Sequence, residues 1–226
     1  MEWSPLWISL ATSVTATICT FVLGLGAAVW RERRAGPMTA LVDGIFLLPL
    51  VLPPTVVGFI LLLIFGRNGP LGELLRRLDM MVVFSWPATV VAATVVAFPL
   101  MYLTARAALE QVDQHFPQAA RTLGASEWRV FREIALPLAW PGILAGTILS
   151  FARALGEFGA TLMVAGNIPG KTETIPIAIY FAVESGEIRR ALMWCGVDVG
   201  ISLALLASLY FWTRGRGPLG RGGGHR

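Results

Sequence analysis

Charge along this chain is gathered into clusters that separate long apolar runs. Residues 3–30 carry no charge between Glu2 and Arg31, residues 44–66 none between Asp43 and Arg67, and residues 80–105 none between Asp79 and Arg106. A fourth run extends from about Leu138 to Ala165, interrupted by Arg153 and Glu157, and a fifth from about Ala191 to Thr213 carries Asp198. About 20 apolar residues cross a hydrocarbon core as a helix. The pattern therefore predicts an all-α membrane protein with five spans, over 7–30, 44–66, 81–105, 138–165 and 191–213. Pro49, Pro53 and Pro54 fall inside the second run. Each lacks an N–H and clashes with the preceding turn, so that helix is expected to be kinked or broken, either to line a pathway or simply to pack. The apolar stretch Ile175–Val183 is too short to span and reads as a partial helix beginning after Pro176, re-entrant or on the outer surface. The Gly- and Arg-rich tail, 214–226, is expected to be disordered.

Composition agrees with the pattern. Of 226 residues, 55% are hydrophobic and only 14% charged, against about 25% charged in a soluble domain. Cys19 and Cys195 both lie in apolar segments and match no metal spacing, and His115 and His225 both lie outside the runs. No metal site is expected. A protease working inside the membrane would need a Ser/His pair, a His-Glu-x-x-His motif or two facing aspartates, and none is present.

The net charge of +4 comes from 17 Arg and one Lys. These flank the apolar runs and form no stripe, so nucleic acid is not an expected partner. Eleven of them (Arg31, Arg33, Arg34, Arg106, Arg121, Arg129, Arg132, Arg214, Arg216, Arg221 and Arg226) fall on one side of the predicted spans. Six (Arg67, Arg76, Arg77, Lys171, Arg189 and Arg190) fall on the other. Basic loops stay in the cytoplasm, which predicts an external amino terminus and a cytoplasmic carboxyl terminus.

The longest polar stretch, Arg106–Glu133, belongs to the cytoplasmic loop 106–137 between spans three and four. Within it, Pro117–Gly124 reads as a short helix, with Pro117 in its first turn and Gly124 as its stop. Ala119, Ala120 and Leu123 give it a small apolar face, and Ser126 caps a second short helix with Glu127 near its positive end. Such a face is shaped for a cleft on another protein, although a solvated amphipathic loop would look the same.

Ala119-Ala120, Gly124 and then Ile134-x-Leu136-Pro137 resemble the EAA loop by which permease subunits of bacterial ABC importers contact their ATPases. Gln118 stands where that family usually has Glu. The likeness extends over about residues 5–212. Leu48-Pro49-Leu50-Val51-Leu52-Pro53-Pro54, the segment Phe151–Thr161 (Phe-Ala-Arg-Ala-Leu-Gly-Glu-Phe-Gly-Ala-Thr) and Asn167–Pro176 are similar to the permease subunits of molybdate importers. Sulfate permeases share the Phe-Ala-Arg…Gly-Glu-Phe-Gly pattern, but they are usually longer and lack this Leu-Pro-Pro and Ile-Pro pairing. The resemblance implies a type I ABC importer permease that moves an oxyanion, molybdate first, with sulfate, thiosulfate or tungstate as the alternative. It also implies a homodimer in the bacterial inner membrane, two ABC ATPase subunits that carry the ATP and Mg, and an external oxyanion-binding protein. The coupling residues would be Gln118, Ala119, Ala120, Arg121, Gly124, Ile134, Leu136 and Pro137.

Ala165–Thr172 satisfies a loose P-loop pattern, yet a membrane span precedes it and Pro176 follows, so nucleotide binding is not expected. Arg153 and Glu157 are read as one turn apart near the middle of span four. Charges at that depth tend to face a bundle interior or a wet cavity. Glu157 offsets Arg153, which favours a pair that locks the bundle or the subunit interface over an anion site. Arg153, Glu157, Pro53 and Pro54 are the pathway or bundle candidates.

Overall fold

In the computed structural model of the protein, residues 3–32 and 36–214 are described. The tail expected to be disordered lies outside them from residue 215 onward; Arg214 closes the last helix. The described residues are helical, with no strand among them. In chain order the helices are α1 (Ser4–Glu32), α2 (Pro37–Val51), α3 (Pro54–Phe65), α4 (Pro70–Arg76), α5 (Trp86–Glu110), α6 (His115–Thr122), α7 (Glu127–Val130), α8 (Leu136–Leu155), α9 (Gly159–Ala165), α10 (Ile175–Glu184) and α11 (Ile188–Arg214). A π-helical turn, Phe131–Ala135, joins α7 to α8 without a break.

At the centre α5 is clasped between α1 and α8. Lipid tails are as apolar as leucine, so helices in a bilayer associate through close packing and hydrogen bonds between small residues. The sequence of α1 supplies such residues every fourth position: Thr12, Ala16, Thr20, Gly24 and Ala28, all buried. They meet α5 in parallel. Thr12 and Thr89 share a hydrogen bond of 2.8 Å, Ala16 lies with Ala93 and Ala97, Gly24 sits against Met101, and Ala28 clusters with Ala105. Thr17 and Thr20 donate to the carbonyls of Ser13 and Ala16, so these hydroxyls need no water. On α8 the same spacing recurs in Gly142, Gly146, Ser150 and Ala154, here running antiparallel to α5. A β-carbon at Gly142 would lie 2.6 Å from that of Ala108, and one at Gly146 would lie 2.0 Å from Thr104 Oγ1. The backbones can approach this closely only because glycine is there.

The second predicted span is broken, and sharply. α2 and α3 meet at 114° across Leu52 and Pro53, while Pro49 stays inside α2. Phe46 of α2 packs on Phe98 and Tyr102 towards the carboxyl end of α5, and Val57 and Leu61 of α3 cluster with Ala88, Ala92 and Val96 towards its amino end.

Other boundaries differ from the sequence reading. The third helix runs Trp86–Glu110, because Asp79–Ser85 form turns in which Asp79 and Phe84 take positive φ. It therefore carries Arg106 and Glu110 as its own last turn. The fourth begins at Glu127, inside the expected loop 106–137, because Arg129 and Glu133 pair at 2.9 Å and continue as helix outside the apolar run. It stops at Leu155 rather than Ala165, at Gly156. The first and last helices, Ser4–Glu32 and Ile188–Arg214, run slightly beyond 7–30 and 191–213. The partial helix α10 begins at Ile175, one residue before Pro176, and packs on α11 and α1; Ser9 Oγ accepts from the Ile175 N–H at 2.7 Å. Four helices among the described residues are long and apolar enough to cross a membrane, and a fifth span is counted if the bent pair α2–α3 is one broken crossing.

Candidate functional site

The loop between α5 and α8 is compact. After Glu110 a four-residue turn, 111–114, leads into α6, where Asp113 Oδ1 accepts from the His115 N–H at 3.0 Å. Pro117 is buried against the bundle, while Gln118, Ala119 and Arg121 are exposed and Ala120 is half-buried. The helix ends in a Schellman motif: the Ala125 N–H bonds to Ala120 O and the Gly124 N–H to Arg121 O. Gly124 has φ of +83°, the conformation for which glycine is preferred. That turn leaves Leu123 88% exposed at the tip, although it is a large apolar side chain.

Ser126 caps the following helix by accepting from the Arg129 N–H, and Glu127 reaches back to Arg121 with Nε···Oε1 at 2.7 Å and Nη2···Oε2 at 3.1 Å. This hydrogen-bonded fork pushes the Arg121 pKa further above its ordinary value and fixes α6 relative to α7. The second short helix expected after Ser126 does not end. It passes through the π turn into α8, so any displacement of α6 is applied to a continuous helix. The structure thus divides the candidate coupling residues into two sets. Gln118, Ala119, Ala120, Arg121 and Gly124 lie on α6 and its cap. Ile134, Leu136 and Pro137 belong to the helix entering the bundle, where Leu136 packs on the cluster around Ala28, Tyr102 and Ile143.

Arg153 and Glu157 form an ion pair, Nη1···Oε2 at 2.9 Å, with the Glu157 side chain 1% exposed and that of Arg153 31%. They are not one turn apart within a helix. Gly156 ends α8, and Glu157 stands in the break before α9, where its Oε1 accepts from the Ala160 N–H at 2.8 Å. The carboxylate therefore pairs with Arg153 in the last turn of α8 through one oxygen and accepts from the first turn of α9 with the other. The glycines on either side of Glu157–Phe158 were the available signal for this break. At the same place a β-carbon on Gly159 would lie 3.1 Å from Pro54 Cβ, and one on Gly58 would lie 2.8 Å from Ala160 Cα. The break marked by Pro53 and Pro54 and the break marked by Glu157 are thus packed on each other, and candidates that were separate in sequence adjoin. Pro53 and Pro54 themselves remain exposed.

The loop from Ala165 to Thr172 follows a helix, not a strand, and closes on itself: Thr172 Oγ1 donates to Gly166 O and accepts from the Ile168 N–H. Among the described residues no group of three or more His, Cys, Asp or Glu could hold a metal ion. Sequence reasoning placed Asp43 merely at a span edge. In the fold it receives bonds from Arg31, Tyr102 and Arg106, which lie 12, 59 and 63 residues away, too far apart for any local motif.

Comparison with known proteins agrees with this architecture. Residues 20–213 match the family described as binding-protein-dependent transport system inner membrane component. The molybdenum transport system permease protein ModB of Escherichia coli K12 is 46% identical over 214 residues, covering 92% of this chain and 91% of that one. ModB of Haemophilus influenzae is 42% identical over 225 residues, with 98% of each chain covered. The sulfate transport system permease protein CysT of Escherichia coli is 33% identical over 222 residues, with 92% and 80% covered. Among solved structures, an inward-facing MetNI methionine ABC transporter superposes with a TM-score of 0.74 at 18% identity, covering 96% and 98% of the two chains. A bacterial alginate ABC transporter does so with a TM-score of 0.78 at 14% identity, covering 95% and 79%. The fold is that of a type I ABC importer permease, and the chain belongs to the binding-protein-dependent transport system inner membrane component family, a transport subunit and not an enzyme.

Proposed function

We propose that this chain forms the translocation pathway of an ATP-driven importer for molybdate, working as a homodimer with two separate ATPase subunits that hold the ATP and Mg. An external binding protein delivers the oxyanion. The observation that carries the reading is the loop 111–126, whose exposed small-faced helix is held rigidly by the Arg121–Glu127 fork and the Gly124 cap and joined directly to α8. Identity of 35–46% to molybdenum permeases, against 33% to a sulfate permease, supports the ion. The ends of α1 and α5, the start of α2 and the loop 111–126 share one face of the bundle, and the sequence assigns the larger set of arginines to the loops and tail on that side. We take it as cytoplasmic, with the amino terminus outside and the carboxyl terminus inside.

ATP-driven closure of the partner ATPases shifts α6, and α8 carries that shift towards the Gly156–Phe158 break and the Pro54 break packed on it. This is alternating access by rigid elements moving about hinges. Within the spans Arg153 is offset by Glu157, so the pathway holds the ion weakly and leaves selectivity to the binding protein, as release requires. The test is uptake of labelled molybdate and sulfate by vesicles containing the chain, its ATPase and its binding protein. ATP-dependent molybdate uptake is expected. Sulfate uptake without molybdate uptake would reassign the ion, and Ala120→Trp should abolish ATPase co-purification by filling the docking face.

A further inference from the structure

α2 is the most weakly embedded of the helices around α5. Met38, Leu41, Ile45, Leu48, Leu50 and Val51 are all exposed, and its packing is mainly on α5. That contact has two parts. Phe46 sets its ring edge-on against Phe98 and Tyr102, with centroids 5.3 Å away in each case. One turn back stands Asp43, a half-buried carboxylate whose two oxygens are both doubly engaged.

Arg31 Nε, from the last turn of α1, donates to Oδ1 at 3.2 Å and to Oδ2 at 3.0 Å. The Tyr102 hydroxyl donates to Oδ1 at 2.5 Å, and Arg106 Nη1 donates to Oδ2 at 3.0 Å. Arg106 Nε turns to Glu110, 2.7 Å away, so the guanidinium is divided between α2 and its own helix. A carboxylate held by charged donors from two other helices has few alternative geometries. The same engagement removes Arg31 and Arg106 as a landing site for an oxyanion, because each already faces a carboxylate.

What matters is where this clamp sits. α5 continues from Arg106 through Glu110 and a four-residue turn into α6, the helix that would meet the ATPase. α2 continues from Asp43 to the Leu52–Pro53 break, and beyond it α3 packs on α9 through Gly58 and Ala160. Without the clamp, α2 would be tied to the loop-bearing helix chiefly by the apolar contacts of Phe46 and Leu47.

We propose that Asp43 is a positioning residue for transport, which fastens α2 to α5 so that movement of the coupling loop is delivered to the break at Pro53 and thence to α3 and α9. This rests on the importer reading above. In this role α2 and α5 travel together throughout the cycle. The carboxylate's charge is essential: an amide could keep some hydrogen bonds but would leave Arg31 and Arg106 to repel each other across the gap.

The experiment measures molybdate uptake and ATP hydrolysis by the complete complex with its binding protein in proteoliposomes. The wild-type complex tests the importer reading: no ATP-dependent uptake there refutes that reading and leaves the clamp aside. Given a working wild type, Asp43→Asn is expected to keep its ATPase subunits while uptake per ATP falls about tenfold, within the range of typical coupling free energies. Asp43→Glu should recover much of the ratio, and Arg106→Gln should reproduce the defect. A purely structural role would lower the amount of complex and leave the ratio of the survivors intact, which would overturn the proposal.

Should Asp43→Asn fail to assemble, cysteines at positions 46 and 98 decide the matter, in a background where Cys19 and Cys195 are alanine. Bridging them with a short bis-maleimide, which adds one thiol at each end, joins α2 to α5 covalently. Retained coupled uptake after bridging is expected, because the two helices move as one. Arrested uptake after bridging, with uptake intact before it, would overturn the proposal.

Discussion

Two regions of this molecule are built on opposite plans. The α1–α5–α8 block is joined along its length by small residues at four-residue spacing, so its helices touch backbone to backbone. The α2–α3 limb is bent at 114° and lies bare along most of α2; one carboxylate and the apolar contacts around Phe46 hold α2, while α3 packs on α9 through Gly58 and on α5 through Val57 and Leu61. Both plans occur in one bilayer and one chain. The difference teaches that how firmly a helix is embedded depends on how closely it approaches its neighbours, not on how apolar it is. α3 is made almost wholly of apolar residues and still belongs to the bent limb.

The largest effect should come from breaking the block. Gly146→Leu drives a side chain into Thr104, where even a β-carbon would be 2.0 Å from Oγ1. Its cost should exceed the roughly 1–3 kcal/mol of ordinary overpacking, because backbone must move. The variant is expected not to accumulate in membranes, and a complex that purifies with unchanged melting behaviour would dismiss the idea of a rigid block.

Next in size is the junction between the regions. Arg153→Ala strands Glu157 at 1% exposure without its counter-charge; because Arg153 itself is 31% exposed, the loss should fall below the roughly 3–5 kcal/mol of a fully buried pair. Thermal unfolding in detergent should show that loss, while the molybdate-to-sulfate uptake ratio stays put. A variant that melts normally but changes its ion preference would move Arg153 from the frame into the pathway.

Smaller again is Gly124→Val, which places a β-branched residue at φ of +83°. The strain, about 1–2 kcal/mol, is confined to a turn in which a β-carbon meets no atom within 4 Å. Melting should hardly change, whereas stimulation of the ATPase by loaded binding protein should be lost. Normal stimulation would remove the cap from the coupling mechanism.

The smallest effect tests the bare limb. Gly44 lies on α2 with nothing within 4 Å of a β-carbon, so Gly44→Ala should stabilise by at most about 1 kcal/mol through helix propensity. A fall in stability, seen only in the assembled complex, would show that another chain covers this face.

These two plans were unequally legible in the sequence. The break at Pro53 and Pro54 could be expected, because proline removes an N–H wherever it stands. The turn at Gly124 could be expected too, since the residues around it carry their own start and stop signals. The ladder along α1 was hidden by the very property that makes it work. Thr, Ala and Gly are too mild to alter a hydropathy count, and only a search for small residues every fourth position would have exposed it. Charge-free runs also placed helix ends at the edge of the apolar segment, whereas Arg106 and Glu110, and Arg129 and Glu133, continue their helices beyond it as ion-paired turns. Glu157 four residues after Arg153 reads as one helical turn, and the two do pair, but the glycines at 156 and 159 end α8 before Glu157 is reached. Asp43 had no local signal, since its partners are contributed by tertiary structure.

A practical consequence follows from the single lysine. Lys171 is exposed in the turn between α9 and α10, beside the end of the bundle opposite the loop 111–126. Arginine guanidinium groups stay protonated and do not react as amines at ordinary pH, while a lysine can. Terminal amine aside, an impermeant acylating reagent therefore finds one target on this chain. Applied to sealed vesicles of known polarity, it turns the side chain at position 171 into a vectorial marker, and a single mass increment reads out which compartment that end of the bundle faces.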